Sequence, residues 1–270
     1  MRVVGCSHLS RELRDEQELV PGYEGIAEFF DLFANNTDIP FYVRYAKKQG
    51  SPVLDIAAGS GRVAFPLAQE GFRVTALEKS PSMLTEMRRR LPRLPKDAAD
   101  RVNIVEADMS DFSIGRKYRL IIIPGSFAHA MSTDKQLSTL KCVRKHLASD
   151  GLFILDLHVG ALLPEDLKFE EPKATLPDGR TVIRSGVIHT DMVRQIMRVD
   201  LKYTVIHASE GYSEDKREIE VTSGAAVIFN READLLIRMA GLAIEDQLGG
   251  FDGRPYTPEC DRRILLLRSH

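Results

Sequence analysis

Cysteine is scarce in this sequence, and the residues of this type lie far apart. There are three, Cys6, Cys142 and Cys260, an odd number without the spacing of metal ligands. They predict neither a disulfide framework nor a bound metal ion. A reducing cytoplasm is the simplest compartment for such a chain, so we expect a cytoplasmic protein.

Long apolar runs and an excess of one charge are also missing. The apolar stretches fall well short of the roughly 18–20 residues that a membrane helix needs. Residues 1–19 are mostly charged and polar, without the apolar core of a signal peptide. The 37 basic and 39 acidic residues give a formal net charge of -2. Because nucleic-acid-binding proteins usually carry a basic surplus, we expect neither nucleic acid nor a membrane as a partner.

The composition is that of a globular protein, and its secondary-structure signals alternate. Of the 270 residues, 43% are hydrophobic, enough for a core without metal or disulfide staples. Between Ser51 and His158, short β-branched runs alternate with amphipathic stretches, which indicates βαβ units and a parallel sheet. The predicted strands cover 53–56, 72–77, 102–106, 120–123 and 152–157, and the predicted helices cover 62–70, 80–91 and 134–147.

The pattern changes after Pro164, where segments rich in Val, Ile, Tyr and Thr follow one another without a long helical stretch between them. These segments predict antiparallel strands over 181–190, 195–208 and 217–229, followed by a helix over 232–240 and strands over 243–248 and 263–268. The whole chain is therefore predicted to be an α/β protein. Its main feature would be a doubly wound, mostly parallel, Rossmann-like sheet of seven strands, with an antiparallel β insertion.

Four regions follow from this order. Residues 1–48 would form an N-terminal helical cap, 49–160 the α/β core, 161–229 the insertion, and 230–270 the completion of the core. Within the cap, apolar residues at helical spacing predict a helix that packs on the sheet; they are Ile26, Phe29, Phe30 and Phe33.

The sharpest local signal is the glycine-containing loop that follows the first predicted strand. Residues 57–61 read Ala-Ala-Gly-Ser-Gly. Glycines at this place let a ligand approach the backbone closely, and the next helix presents free N–H groups there. The run from Gly59 to Ala64 also satisfies the dinucleotide fingerprint G-x-G-x-x-A, so a nicotinamide-dependent oxidoreductase stays open as an alternative.

Three carboxylates lie within, at the end of and after the first three predicted strands, in that order. Asp55 can accept hydrogen bonds from the loop backbone or, through water, from a ligand ammonium group. Glu78 can accept from both hydroxyls of a ribose. Asp108 can accept from an exocyclic amino group such as that of adenine. Each residue also has a purely structural alternative. Asp55 would fix the loop, Glu78 would be a solvated charge at a strand end, and Asp108 would be a turn residue.

This combination resembles the class I S-adenosylmethionine-dependent methyltransferases, in particular their bacterial small-molecule branch. The resemblance covers residues 51–158 well and the remainder more loosely. The segments that carry it are 38–42, 52–62, 78–84, 106–109, 124–129, 146–151 and 249–253.

The resemblance implies that S-adenosylmethionine is the cofactor and S-adenosylhomocysteine the product. The backbones of the glycine loop and of Pro124–Gly125 would contact the methionine part of the cofactor, and Glu78 would bind its ribose. Met83, Asp108 and Met109 would contact its adenine. An N-terminal tyrosine would close over it. The implied cofactor-binding residues are Tyr23, Tyr42, Asp55, Ala57, Gly59, Gly61, Glu78, Lys79, Met83, Asp108, Met109, Pro124 and Gly125.

Three positions depart from the family pattern. Ala57 stands where the family often has Gly, and Arg119 where it often has Asp. Pro124-Gly125-Ser126 differs from the Asn/Asp-Pro-Pro-Tyr signature of enzymes that methylate amino groups of nucleic acids. This last difference disfavours a base methyltransferase.

His129 follows the fourth strand, near the place where the reactive methyl group would lie. We predict it as general base or as a group that orients the substrate, with a structural histidine at a helix start as the alternative. His158, after the fifth strand, is a weaker candidate. The run Arg88-Arg89-Arg90 ends a helix and is interpreted as a solvated helix end.

The chemistry asks little of the protein, because a sulfonium already makes the methyl group electrophilic. The enzyme must align a nucleophile in line and exclude water. We therefore predict transfer of a methyl group to N or O of a small molecule, with the β insertion as the substrate lid. Alternatives are cyclisation or another group transfer from the same cofactor, the oxidoreductase, and a non-catalytic binding module. An exposed edge of the insertion would allow a homodimer without requiring one.

Overall fold

The computed structural model describes residues 23–158, 166–207 and 215–270. Residues 1–22 of the predicted cap, which include Cys6, lie outside these ranges. The helices are α1 Ala27–Phe30, α2 Ile39–Gln49, α3 Ala64–Gln69, α4 Pro81–Arg90, α5 Lys96–Ala99, α6 Thr133–His146 and α7 Asn230–Met239. The strands are β1 Val53–Ile56, β2 Val74–Glu78, β3 Val102–Glu106, β4 Tyr118–Ile123, β5 Leu147–His158, β6 Asp166–Glu170, β7 Ala174–Thr175, β8 Thr181–Asp191, β9 Ile196–His207, β10 Asp215–Ala226, β11 Leu242–Leu248 and β12 Arg262–Ser269.

A seven-stranded sheet forms the centre of the molecule, in the order β11-β12-β5-β4-β1-β2-β3. β1 to β5 run parallel, whereas β12 is antiparallel to both β5 and β11. All four residues of β1 and the Leu120–Ile123 run of β4 are buried, because helices cover both faces of a parallel sheet. The predicted α/β fold with a doubly wound sheet is thereby confirmed.

A second, antiparallel sheet lies beyond β5, in the order β10-β9-β8-β6, with β7 paired to β8. Its three long strands match the predicted ones within a few residues. The sequence analysis missed β6 and β7, because Asp166–Glu170 alternates charged with apolar residues over only five positions and β7 spans two. Both pair with β8 and so cover the edge of that strand.

The apolar stripe predicted in the cap packs on this antiparallel sheet. Ile26 directly precedes α1 and Phe29 lies within it. Both are buried against Val182, Tyr203 and Val205. The stripe continues through the 3₁₀ turn Asp31–Phe33. Residues 23–38, hereafter the N-terminal segment, thus lie between the antiparallel sheet and the carboxyl ends of the parallel strands.

Local signals place α4 as predicted. Ser80 has extended backbone angles, its hydroxyl accepts the Met83 backbone N–H at 3.3 Å, and Pro81 occupies the first helical position. This cap fixes where the helix begins, and Met83 is buried in its first turn. None of the helices in the three described ranges is long and apolar enough to cross a membrane.

Candidate active site

A cavity of about 490 Å³ opens at the carboxyl ends of β1 to β4, closed on one side by the N-terminal segment. This volume is within the usual range for a small-molecule site, roughly 300–1,000 Å³. Most of the predicted site residues line it: Tyr23, Asp55, Ala57, Gly59, Glu78, Lys79, Met83, Asp108, Met109, Pro124, Gly125 and His129.

The glycine loop turns by using left-handed backbone angles at three positions. Ala57 has φ 56°, Gly59 59° and Gly61 88°. A side chain on Gly59 would meet nothing within 4 Å, so the space over its backbone is open to a ligand. Gly61 does not line the cavity, so its contact with the cofactor stays a prediction. A Cβ there would stand 2.7 Å from the Phe65 ring, so the glycine is required by helix packing.

Asp55 is buried in β1 and borders the cavity. Only 1% of its surface is exposed, and neither of its oxygens has a hydrogen-bond partner among the described residues. Burial raises its pKa to about 8, although the nearby Arg62 guanidinium opposes the rise. A buried carboxylate beside a cavity is satisfied by a cation, and the α-ammonium group of S-adenosylmethionine is one. The site thus fits this cofactor at its methionine end.

Glu78 holds the loop and closes the second strand. Its carboxylate accepts three backbone N–H groups, those of Gly59, Lys79 and Ser80, each at 2.8 Å. The residue is buried, which excludes a solvated charge at the strand end. A carboxylate has about four lone-pair directions, so one remains for a ribose hydroxyl beside the loop.

The adenine end of the predicted site contains Asp108, Met83 and Met109. Both oxygens of Asp108 are engaged: Oδ2 accepts from Lys79 Nζ at 2.7 Å, and Oδ1 accepts from the Ser110 N–H and hydroxyl at 2.9 and 2.7 Å. Burial disfavours the charged form, but these hydrogen bonds outweigh it and hold the pKa of Asp108 at about 2. The carboxylate is therefore an acceptor at every physiological pH.

His129 ends the short 3₁₀ turn after β4, and the antiparallel sheet holds its ring. Nδ1 lies 3.0 Å from the carbonyl oxygen of Gly224 in β10. Because a carbonyl can only accept, Nδ1 carries the proton of the neutral ring and Nε2 carries the lone pair. Nε2 lies 3.4 Å from the Tyr23 hydroxyl at the cavity. Burial lowers the pKa of His129 and favours the neutral form.

Tyr23 closes the cavity from the N-terminal segment. Its ring meets Phe30 edge to face, with 5.2 Å between the ring centroids. Burial, followed by the nearby Glu78 charge, raises the pKa of the Tyr23 hydroxyl, which stays protonated and can donate toward His129. Tyr23 is thus the tyrosine that faces the cavity.

Tyr42, the other predicted tyrosine, lies elsewhere. It is fully buried on the apolar face of α2, where its ring packs against Phe41 and Phe251 at centroid distances of 5.4 and 6.0 Å. It does not line the cavity, because the helix turns this face toward the sheet. The prediction of Tyr42 as a residue closing over the cofactor is therefore corrected.

The ring of His158 is hydrogen-bonded to an arginine side chain. Its Nε2 accepts from Arg262 at 3.3 Å, and the same guanidinium pairs with the buried Asp156. The lone pair that a general base would use is thereby engaged. Together with burial, the Arg262 charge lowers the pKa of His158, which favours a neutral, structural histidine.

The three arginines at the end of α4 lie in two different environments. Arg88 and Arg89 are about half exposed and pair with Glu106 and with Glu86 of the same helix. Arg90 turns inward to Asp31 and Ser60, so the predicted solvated helix end is wrong for this residue. Missed cavity-lining residues include Asp31, Ser60 and Arg62. Ser60 lies within the glycine loop and Arg62 directly follows it, so both had a positional signal, whereas no motif marks Asp31.

The comparisons with known proteins agree with this geometry. Residues 53–151 match the family described as a methyltransferase domain. The dTDP-3-amino-3,4,6-trideoxy-alpha-D-glucopyranose N,N-dimethyltransferase of Streptomyces venezuelae is 27% identical over 240 residues, 84% of this chain and 94% of the relative. The CcbJ methyltransferase of Streptomyces caelestis superimposes with a TM-score of 0.71 at 20% identity, over 90% of this chain and 96% of that one.

A further structural neighbour carries the expected cofactor. It is an amino pentose methyltransferase of Micromonospora echinaspora, solved with S-adenosylmethionine bound. Its TM-score is 0.64 at 17% identity, over 98% of both chains. The chain is a class I S-adenosylmethionine-dependent methyltransferase, as the sequence predicted, and S-adenosylmethionine is its cofactor.

Proposed function

We propose that this enzyme methylates the nitrogen of an amine on a small, sugar-like molecule. The observation that carries the proposal is the state of His129. Its ring is neutral, its Nδ1 proton is committed to the Gly224 carbonyl, and the lone pair of Nε2 is directed to the cavity beside Tyr23. The Streptomyces venezuelae relative named above is by its name an N,N-dimethyltransferase of an amino sugar, which supports the acceptor class.

An amine calls for such a group because it arrives protonated at neutral pH. A protonated nitrogen has no lone pair and cannot attack a methyl group. Nε2 of His129 would accept this proton, and the Gly224 carbonyl would stabilise the resulting imidazolium by accepting from Nδ1–H. The Tyr23 hydroxyl, which can donate toward Nε2 across 3.4 Å, would turn to the acceptor nitrogen when the amine binds and would orient it by hydrogen bonding.

The remaining residues would bind and orient the cofactor. When bound, S-adenosylmethionine supplies an electrophilic methyl group. Asp55 would hold its ammonium group, Glu78 its ribose and Asp108 its adenine amino group. Tyr23 and Phe30 would cover the site and exclude water, so that the acceptor nitrogen approaches in line with the S–CH₃ bond. The antiparallel sheet, which fixes His129, would form the acceptor side of the pocket.

The test uses pairs of acceptors that differ at one atom. Cyclic sugars with an amino group are compared with their hydroxyl analogues, and S-adenosylhomocysteine and methylated product are followed by mass spectrometry. Methylation of the amines alone supports the proposal. Methylation of the hydroxyl analogues would replace it with O-methylation, and a cofactor product other than S-adenosylhomocysteine would point to a different group transfer.

A further inference from the structure

Arg90 joins three separate parts of the molecule. It stands at the end of α4, and its Nη1 bonds both the Asp31 carboxylate and the Ser60 hydroxyl, the latter at 2.7 Å. The Ser60 hydroxyl donates to the same oxygen of Asp31. These three residues, hereafter the Arg90 cluster, link the helix, the N-terminal segment and the glycine loop.

The cluster borders the cofactor cavity without placing its cation inside it. Asp31 and Ser60 line the cavity, whereas Arg90 does not. The guanidinium carbon lies 6.0 Å from the centroid of the Phe65 ring, the ring that packs on Gly61. Arg90 therefore acts on the cavity through the residues it holds.

The N-terminal segment carries Tyr23 and Phe30, which close one side of the cavity. Two further ion pairs fasten it: Asp38 with Arg62 at 2.6 Å, and Glu28 with Arg180, the residue directly before β8, at 3.0 Å. The Arg90 cluster differs from both, because it brings a residue of the segment into contact with a side chain of the glycine loop itself. Opening the segment over the cofactor would break this contact.

We propose that Arg90 is a positioning residue for the cofactor: it holds Asp31, and with it the N-terminal segment, against the glycine loop, and so slows cofactor release. The inference rests on S-adenosylmethionine as cofactor and is independent of the acceptor. Both ions are partly buried, with side-chain exposures of 32% and 22%, so their interaction is less screened than that of a surface pair.

The test compares three variants at α4. Arg90→Met removes the cation and keeps the length of the side chain. Arg90→Lys keeps the charge, and it should preserve the function because a single nitrogen, Nη1, makes both contacts. Arg88→Met is the matched control, since it removes an exposed ion pair from the same helix. S-adenosylhomocysteine is the probe, and its association and dissociation rate constants are measured by stopped-flow displacement.

We expect Arg90→Met to raise the dissociation rate constant about tenfold with the association rate constant within about twofold, the pattern usual for contacts that hold a bound state. Arg90→Lys and Arg88→Met should stay within about twofold of the wild type. Hydrogen exchange in residues 23–38 of the cofactor-bound protein should be faster in Arg90→Met alone.

Two results would overturn the inference: an unchanged dissociation rate constant in folded Arg90→Met, or equal changes in both rate constants with a lower Tm, which would indicate a structural role only. If Arg90→Met does not fold, Asp31→Asn decides, because it removes the charge that Arg90 holds and leaves Arg90 in place. Its dissociation rate constant should rise about tenfold, as expected for Arg90→Met, and a value within about twofold of the wild type would contradict the proposal.

Discussion

Lys79 Nζ lies 2.7 Å from Asp108 Oδ2, and this ion pair spans the cavity rim between the ends of β2 and β3. The lysine is largely exposed and the carboxylate half-buried. The pair itself therefore contributes little to the free energy of unfolding, while it fixes the direction of the Asp108 oxygens toward the cavity.

Substitutions at this pair should separate orientation from direct contact. Lys79→Met is expected to raise the Kd for S-adenosylmethionine about twofold to fivefold, in line with an exposed pair worth roughly 0.2–1 kcal/mol. Asp108→Ala should raise it more, by about tenfold, because the acceptor for adenine is lost. Isothermal titration calorimetry measures both. Equal affinities of Asp108→Ala and the wild type for S-adenosylmethionine would show that Asp108 does not bind the cofactor.

Asp55 should couple stability to pH in an unusual direction. Its pKa is about 8 in the folded protein, whereas an unfolded aspartate titrates near about 4. Between these values the folded state keeps a proton that the unfolded state has released, so the free energy of unfolding falls as pH rises. Asp55→Asn, which stays neutral, should flatten this dependence in urea titrations from pH 5 to 8.

The same residue should release a proton when the cofactor binds. A ligand ammonium group beside Asp55 favours the ionised carboxylate, so binding near neutral pH expels the proton held in the free enzyme. Calorimetry in buffers of different ionisation enthalpy should detect a buffer-dependent binding enthalpy in the wild type. The dependence should disappear in Asp55→Asn, together with a weaker affinity. A buffer-independent enthalpy in the wild type would contradict the ammonium contact.

Ala57 has φ 56°, a backbone conformation that residues other than glycine avoid. Replacing it by glycine relieves a strain of roughly 1–2 kcal/mol, only partly offset by the backbone entropy of glycine. We expect Ala57→Gly to raise the free energy of unfolding by about 1 kcal/mol. The adjacent Ala58→Gly, at an ordinary negative φ, should instead lower it. Urea denaturation of the two variants compares them directly.

His129 should govern the acidic limb of the pH profile. A base must be neutral to accept a proton, so activity falls as pH drops through the imidazole pKa, which burial lowers from its usual value. His129→Gln should lose this limb and reduce kcat/KM for an amine about 10²-fold or more. His158→Gln is the control and should keep the profile. A retained acidic limb in His129→Gln would assign it to another group.

The sequence was informative where local pattern determines structure. β1 is apolar apart from Asp55, β4 contains the continuous apolar run Leu120–Ile123, and Ser80-Pro81 marks the start of α4. These elements and the carboxylates in or beside them could therefore be predicted from the sequence. Strand order then follows from parallel pairing, which brings Asp55, Glu78 and Asp108 to one edge.

Contacts between distant segments leave no such pattern. Arg90 and Asp31 are 59 positions apart, so no periodicity relates them, and the arginine run resembles any charged helix end. Tyr42 and Tyr23 are likewise equivalent in the sequence; only packing on α2 buries the first and leaves the second at the cavity. The side chains that close the site therefore had to come from the structure.

His129 owes its tautomer to the backbone of Gly224, and no side chain of the antiparallel sheet takes part in that bond. Substitutions along β10 that preserve the strand would leave this carbonyl where it is. During divergence, the sheet could therefore acquire new side chains for new acceptors while the basic nitrogen stayed in place. Acceptor range and proton abstraction would then evolve separately, which makes these strands the place to begin when redirecting the enzyme to a different amine.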